Sequence, residues 1–214
     1  MLNAEVGDEG ATGMRRLPAE AIRRAIEILR SGGIVAYPTD TLYGLAVDPR
    51  SADGVRRVFE VKGREAGHAV PLIAADVEQA AEAALFDARA RRAAAAFWPG
   101  PLSIVLPARD MVRRELLGPD DTIAVRVADH PVALALAKGL WFCITATSAN
   151  LTGHPPTSSP ELVERNIGKR IDLILDDGPS PGGAPSTIID LRGPAPRLVR
   201  EGAIAWERVL RSIQ

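Results

Sequence analysis

Cysteine is all but missing from this chain. Cys143 is the only one in 214 residues, which excludes an internal disulfide and any multi-cysteine zinc site and fits a reduced, cytoplasmic setting. Aromatic residues make up 4% of the sequence, so aliphatic side chains and alanine must fill the core that a 46% hydrophobic content provides. An excess of either charge is missing as well. Lys and Arg number 26 against 27 Asp and Glu, and the net charge of −1 creates no global field for nucleic acid or an anionic membrane. Any anion site must therefore come from local clustering. No run approaches the ~20 apolar residues that cross a bilayer, and the opening MLNAEVGDEGATGMRR lacks the apolar stretch of a secretory signal. His68, His130 and His154 are scattered, so no zinc triad and no metal site are expected. Neither a G-x-x-x-x-G-K-[ST] phosphate loop nor a G-x-G-x-x-G dinucleotide turn is present.

What is there is an interleaving of helix and strand signals. Residues 1–16 read as a flexible polar tail and 17–214 as one domain. Ile22, Ala25, Ile26 and Leu29 mark an amphipathic helix over 18–31, stopped by Gly32. A strand follows over 33–37. Ser51 caps a second helix that ends near Lys62-Gly63. Strands are expected over 70–75, 102–107, 122–127, 141–145, 171–175, 186–191 and 197–200. Helices are expected over 87–98, halted by Pro99, then 131–138, from Ser159-Pro160 to Gly168, and 206–213. The late strands follow one another closely, which predicts an α/β fold with a mixed parallel and antiparallel twisted sheet flanked by helices.

Four polar clusters adjoin these strands. The first is IVAYPTDTLYGLAVDP (34–49), where a buried strand opens at once into Thr39, Asp40, Thr41 and Tyr43. Ligands of open α/β sheets bind beyond strand carboxyl ends, but the same residues also build ordinary turns. The second is Lys62 with Arg64, either a phosphate clamp or cations that complement a helix terminus. The third is TIAVRV, where alternation puts Thr122, Ala124 and Arg126 on one face. That face is either solvated or carries Arg126 as a carboxylate or phosphate receiver. The fourth is CITATSANLTG, with Thr145, Thr147, Ser148 and Asn150, echoed by Ser186 and Thr187 after a glycine-rich loop. Cys143 lies within an apolar strand and reads as a structural thiol.

Taken in order, GGIVAYPTDTLYGLAVDP, FEVKGR, PLI, FWPGPLSIVLP, TIAVRV, TSANLTG, PSTIIDL and LVREGAI resemble the YrdC-type threonylcarbamoyl-AMP synthases over about residues 18–205. The chain is similar to the short, single-domain bacterial form. The resemblance implies a fold wrapped around a concave basic groove, and an enzyme (a nucleotidyltransferase) with L-threonine, bicarbonate or CO₂ and ATP as substrates. The products are threonylcarbamoyl-AMP and pyrophosphate, serving the t6A modification of tRNA adenosine 37 through a separate transferase complex. It implies Thr39, Tyr43, Arg126 and Ser186 on the threonine side. It implies Lys62, Arg64, Thr122, Ser148, Asn150 and Arg200 on the ATP side, with Lys62 and Arg64 at the phosphates. Mg²⁺ is implied as the ATP counter-ion. Many members carry a histidine where this chain has Ala75, and Glu65 follows the KGR triplet. An alternative from another class is a non-catalytic RNA-binding module of the same fold.

Overall fold

The computed structural model describes residues 17–63 and 69–213. The expected tail at 1–16, and Arg64, Glu65 and His68, lie outside the described residues. The chain folds as α1 (Ala19–Arg30), β1 (Val35–Tyr37), β2 (Gly44–Ala46), α2 (Ala52–Lys62), β3 (Leu72–Ile73), α3 (Val77–Ala83) and α4 (Ala88–Phe97). It continues through β4 (Leu102–Pro107), β5 (Thr122–Arg126), α5 (Pro131–Leu140), β6 (Ile144–Thr145), β7 (Thr147–Ser148) and α6 (Pro160–Ile167). The last elements are β8 (Leu173–Ile174), β9 (Thr187–Asp190), β10 (Arg197–Arg200) and α7 (Trp206–Ile213). Among the described residues no helix is long and apolar enough to cross a membrane.

The mixed α/β expectation holds, with one difference: the strands divide between two sheets. The smaller has the order β7-β2-β1-β8 and the larger β10-β9-β4-β5-β3-β6. Both mix directions. β1 runs antiparallel to β2 and parallel to β8, while β5 runs antiparallel to β4 and parallel to β3. The larger hydrophobic cluster draws on both sheets, with Leu45, Leu72, Leu102, Ile104, Ile123 and Ile189 all fully buried. A second cluster packs Ala25 and Leu29 of α1 against Ala133, Leu136 and Ala137 of α5.

Helix boundaries follow the capping chemistry. Ser51, Asp76, Asp87 and Ser159 each accept a backbone N–H with the side chain at a helix start, satisfying a donor that has no partner within the helix. Gly63 ends α2 in the left-handed conformation, φ 58°, which glycine adopts without a Cβ clash. Several expectations need correction. Helix α3 and strands β2 and β7 were not anticipated. The strand expected at 141–145 covers only Ile144–Thr145, because Trp141 terminates α5 at φ 60° and stands exposed. The strands expected at 70–75 and 171–175 shorten to Leu72–Ile73 and Leu173–Ile174.

Candidate active site

A cavity of about 390 Å³ opens where the two sheets face each other, within the ~300–1,000 Å³ range of small-ligand sites. Its lining includes Tyr37, Thr39, Thr41 and Tyr43 from β1, β2 and their connection, and Ser103 of β4. Arg126 of β5, Thr147 and Ser148 of β7, Ser186 before β9 and Arg200 of β10 complete the polar set. Of the residues singled out in the sequence, this brings together Thr39, Thr41, Tyr43, Arg126, Thr147, Ser148, Ser186 and Arg200.

The PTDTLYG segment leaves β1 as a hydroxyl-closed turn. Thr39 Oγ1 donates to the Leu42 carbonyl at 2.8 Å and accepts from the N–H groups of Thr41 and Leu42. Tyr43 Oη donates to the Gly178 carbonyl at 2.7 Å and ties in the later loop. Burial raises the Tyr43 pKa, so the phenol stays protonated at neutral pH. Gly44 follows in close packing: a Cβ there would lie 3.1 Å from Tyr37 Cε1 and 3.3 Å from its hydroxyl, so the ring would have to give by a few tenths of an ångström.

Arg126 settles the open question about the TIAVRV strand. All five residues of β5 are buried, Arg126 at 6% exposure, so the face with Thr122 and Ala124 is not a solvated one. The guanidinium Nη1 donates to both Asp40 oxygens, at 2.8 and 3.1 Å. A buried cation needs such a counter-charge. Ser186 Oγ lies 3.1 Å from Ser103 Oγ, and Arg200 donates to the Ser186 carbonyl at 2.7 Å and to its hydroxyl at 3.2 Å. Desolvation, and then the like charge of Arg126, lower the Arg200 pKa.

Lys62 is not a surface cation at a helix end. It is 5% exposed, and Nζ donates to the Ser148 carbonyl at 2.7 Å and to Asn150 Oδ1 at 2.9 Å. Asn150 Nδ2 donates on to the His154 carbonyl. Lys62 and Asn150 thus stand behind the wall and meet the cavity through Ser148. Thr122 is placed apart, at the opposite end of β5 from Arg126, where its hydroxyl donates to Pro119 O at 2.8 Å. Among the described residues no three His, Cys, Asp or Glu side chains are grouped to hold a metal ion. Cys143 is fully buried, and its thiol is pushed up to about 12, chiefly by that burial.

Sequence reasoning missed Tyr37 and Ser103 as parts of this region, and it placed Asp40 in the opening cluster without its partner Arg126. Ser103 carried a signal, a lone hydroxyl in an otherwise apolar strand. Tyr37 read as the end of a core strand, and nothing local linked Asp40 to an arginine 86 positions away.

These features belong to a known set of proteins. The family model Sua5/YciO/YrdC, described as telomere recombination, matches residues 27–202. The chain is 39% identical to the threonylcarbamoyl-AMP synthase of Pyrococcus abyssi over 91% of its own length and 57% of that protein's. It is 39% identical to the threonylcarbamoyl-AMP synthase of Nitrosococcus oceani, covering 82% of this chain and 95% of that one. The crystal structure of P. abyssi Sua5 complexed with L-threonine superposes with a TM-score of 0.86 at 38% identity, covering 90% of this chain and 57% of that one. The chain therefore spans little more than half the length of the P. abyssi relative and nearly all of the N. oceani one. With the family matched across most of its residues, the chain belongs to the Sua5/YciO/YrdC family.

Proposed function

We propose that this chain is an L-threonylcarbamoyladenylate synthase, joining L-threonine, bicarbonate or CO₂ and ATP into threonylcarbamoyl-AMP with release of pyrophosphate. The observation that carries this reading is one cavity that presents a fixed buried arginine, a second arginine and a rim of hydroxyls, but no nucleophilic triad. Relatives named threonylcarbamoyl-AMP synthase, and a relative's structure with L-threonine, support the same reading.

The residue types suit the chemistry. The threonine amine takes up CO₂ as a carbamate, and a carbamate oxygen then attacks the α-phosphorus of ATP as pyrophosphate leaves. Neither step needs a covalent enzyme intermediate. Positioning and charge neutralisation can supply most of the rate. In this reading Arg126 receives the threonine carboxylate, and Thr39, Tyr43 and Ser186 shape the surrounding pocket. Arg200, with Ser148 backed by Lys62 and Asn150, serves the nucleotide; Arg64, and Thr122 at the far end of β5, are assigned to that side by the family resemblance alone. ATP enters with Mg²⁺ as its counter-ion, held mainly by phosphate and water oxygens. The product passes to a separate tRNA-modifying transferase complex, in the cytoplasm.

Mass spectrometry of the product from threonine, bicarbonate and MgATP tests the assignment. Threonylcarbamoyl-AMP formed together with pyrophosphate supports it. Bound RNA with no such product would favour the RNA-binding alternative and overturn it.

A further inference from the structure

One carboxylate of the opening motif has no role in the reaction as written. Asp40 stands between Thr39 and Thr41 but is not part of the cavity lining. Its side chain is only 11% exposed, and both its oxygens converge on a single nitrogen of Arg126. A guanidinium offers two edges that accept a carboxylate as a fork, Nε with Nη2 and Nη1 with Nη2. Asp40 engages Nη1 alone. Among the described residues, neither Nε nor Nη2 of Arg126 donates a hydrogen bond, and Arg126 lines the cavity. Elsewhere in this chain an aspartate uses the full fork: Asp48 takes Nε and Nη2 of Arg50 at 2.9 and 2.7 Å. The Asp40 arrangement is therefore different in kind.

We propose that Asp40 is a positioning residue: by gripping Nη1 it fixes the Arg126 guanidinium so that the Nε–Nη2 edge stands open as the receiver for the substrate carboxylate. This rests on the reading of Arg126 given above. The pair also links the two sheets, since Asp40 follows β1 of the smaller sheet and Arg126 ends β5 of the larger. Asp40 supplies the counter-charge that a buried guanidinium requires without blocking the edge suited to bidentate binding. The orientation is set before the ligand arrives, so binding need not immobilise a long, rotatable side chain.

Calorimetric titration tests this, with L-threonine, with L-threoninamide (which lacks the carboxylate) and with a non-hydrolysable ATP analogue. The proteins are the unaltered chain, Asp40→Ala, Asp40→Asn and Arg126→Lys. The loss of a fixed charge-assisted fork is expected to weaken threonine binding about 10-fold or more in Asp40→Ala. Asp40→Asn, whose amide oxygen still accepts from Nη1, is expected to fall by less than about 3-fold. Threoninamide and nucleotide affinities should barely move in either. Threonine affinity that is unchanged or tighter in Asp40→Ala, while Arg126→Lys binds weakly, would overturn the positioning role alone. Parallel loss of threonine and nucleotide in Asp40→Ala would make the residue structural and overturn it too. Normal threonine binding by Arg126→Lys would instead remove the threonine reading of Arg126 itself. A readout that needs no variant is the arginine side-chain NMR spectrum of the unaltered chain. Threonine should shift the Nε and Nη2 signals of Arg126 and leave Nη1 in place, whereas displacement of Nη1 would contradict the proposal.

Discussion

Arg126 reaches the cavity from the middle of the larger sheet, 6% exposed and paired with Asp40. Arg200 reaches it from the exposed edge strand β10, held by a carbonyl and a hydroxyl of Ser186. The first cation has its charge balanced and its geometry fixed before any ligand arrives. Among the described residues the second has no carboxylate partner, and its pKa is lowered by desolvation and then by the like charge of Arg126. Such a contrast suits two different anions. In the proposed reading a small carboxylate is read by shape at the fixed end, and a flexible polyanion meets the cation at the other.

Removing the cation that ties the nucleotide wall should have the largest effect. Lys62→Met deletes the Nζ contacts to Ser148 and Asn150. Turnover at saturating threonine should fall by about 10- to 100-fold, the scale of a lost charged hydrogen bond that holds Ser148 in place. Initial rates of pyrophosphate release would check it; an unchanged rate would leave this end with Arg200 alone. Next comes Gly44→Ala, which pushes a methyl against the Tyr37 ring and should cost about 1–3 kcal/mol in urea unfolding. It perturbs the floor shared by both ends, so the affinities for both substrates should decline together.

A smaller effect concerns acid stability. Burial lowers the pKa of His130, outweighing the raising effects of Asp177, Asp40 and Asp129. With the folded pKa below the unfolded value of about 6.5, the unfolded chain binds more protons between the two. Stability from this group is complete above that pH and is lost as pH falls towards the folded pKa. His130→Asn keeps a side-chain acceptor for the Val132 N–H that His130 Nδ1 now caps. Its melting temperature should decline less steeply between pH 7.5 and 5.5 than that of the unaltered chain. Equal slopes would remove His130 from the account. Smallest of all is Cys143→Ser. With the thiol pushed up to about 12 and the proposed chemistry needing no sulfur, turnover should stay within about 2-fold.

How much of this was readable in the sequence differs between the same two ends. Boundaries set by local chemistry were legible: Ser51, Ser159 and Pro131 open helices where their side chains predict. The strands around Arg126 and Ser186 fell close to their expected positions. The short strands β2 and β7 were not legible, because such short strands exist only through pairing, β2 with β1 and β7, and β7 with β2. Helix α3 had a cap in Asp76 but only a short, alanine-rich body. The burial of Lys62 was hidden as well, since its acceptors lie 86 and 88 residues further along. The Asp40–Arg126 pair bridges two sheets, and no local pattern encodes a contact of that kind.

The account's central claim is that the two arginines serve different substrates. Calorimetry of Arg126→Lys and Arg200→Lys, each titrated with L-threonine and with a non-hydrolysable ATP analogue, tests it most directly. Arg126→Lys should bind threonine about 10- to 100-fold more weakly with nucleotide affinity preserved. Arg200→Lys should weaken nucleotide and spare threonine. If Arg126→Lys kept its threonine affinity and lost the nucleotide, the two ends of the cavity would be reversed and the claim contradicted.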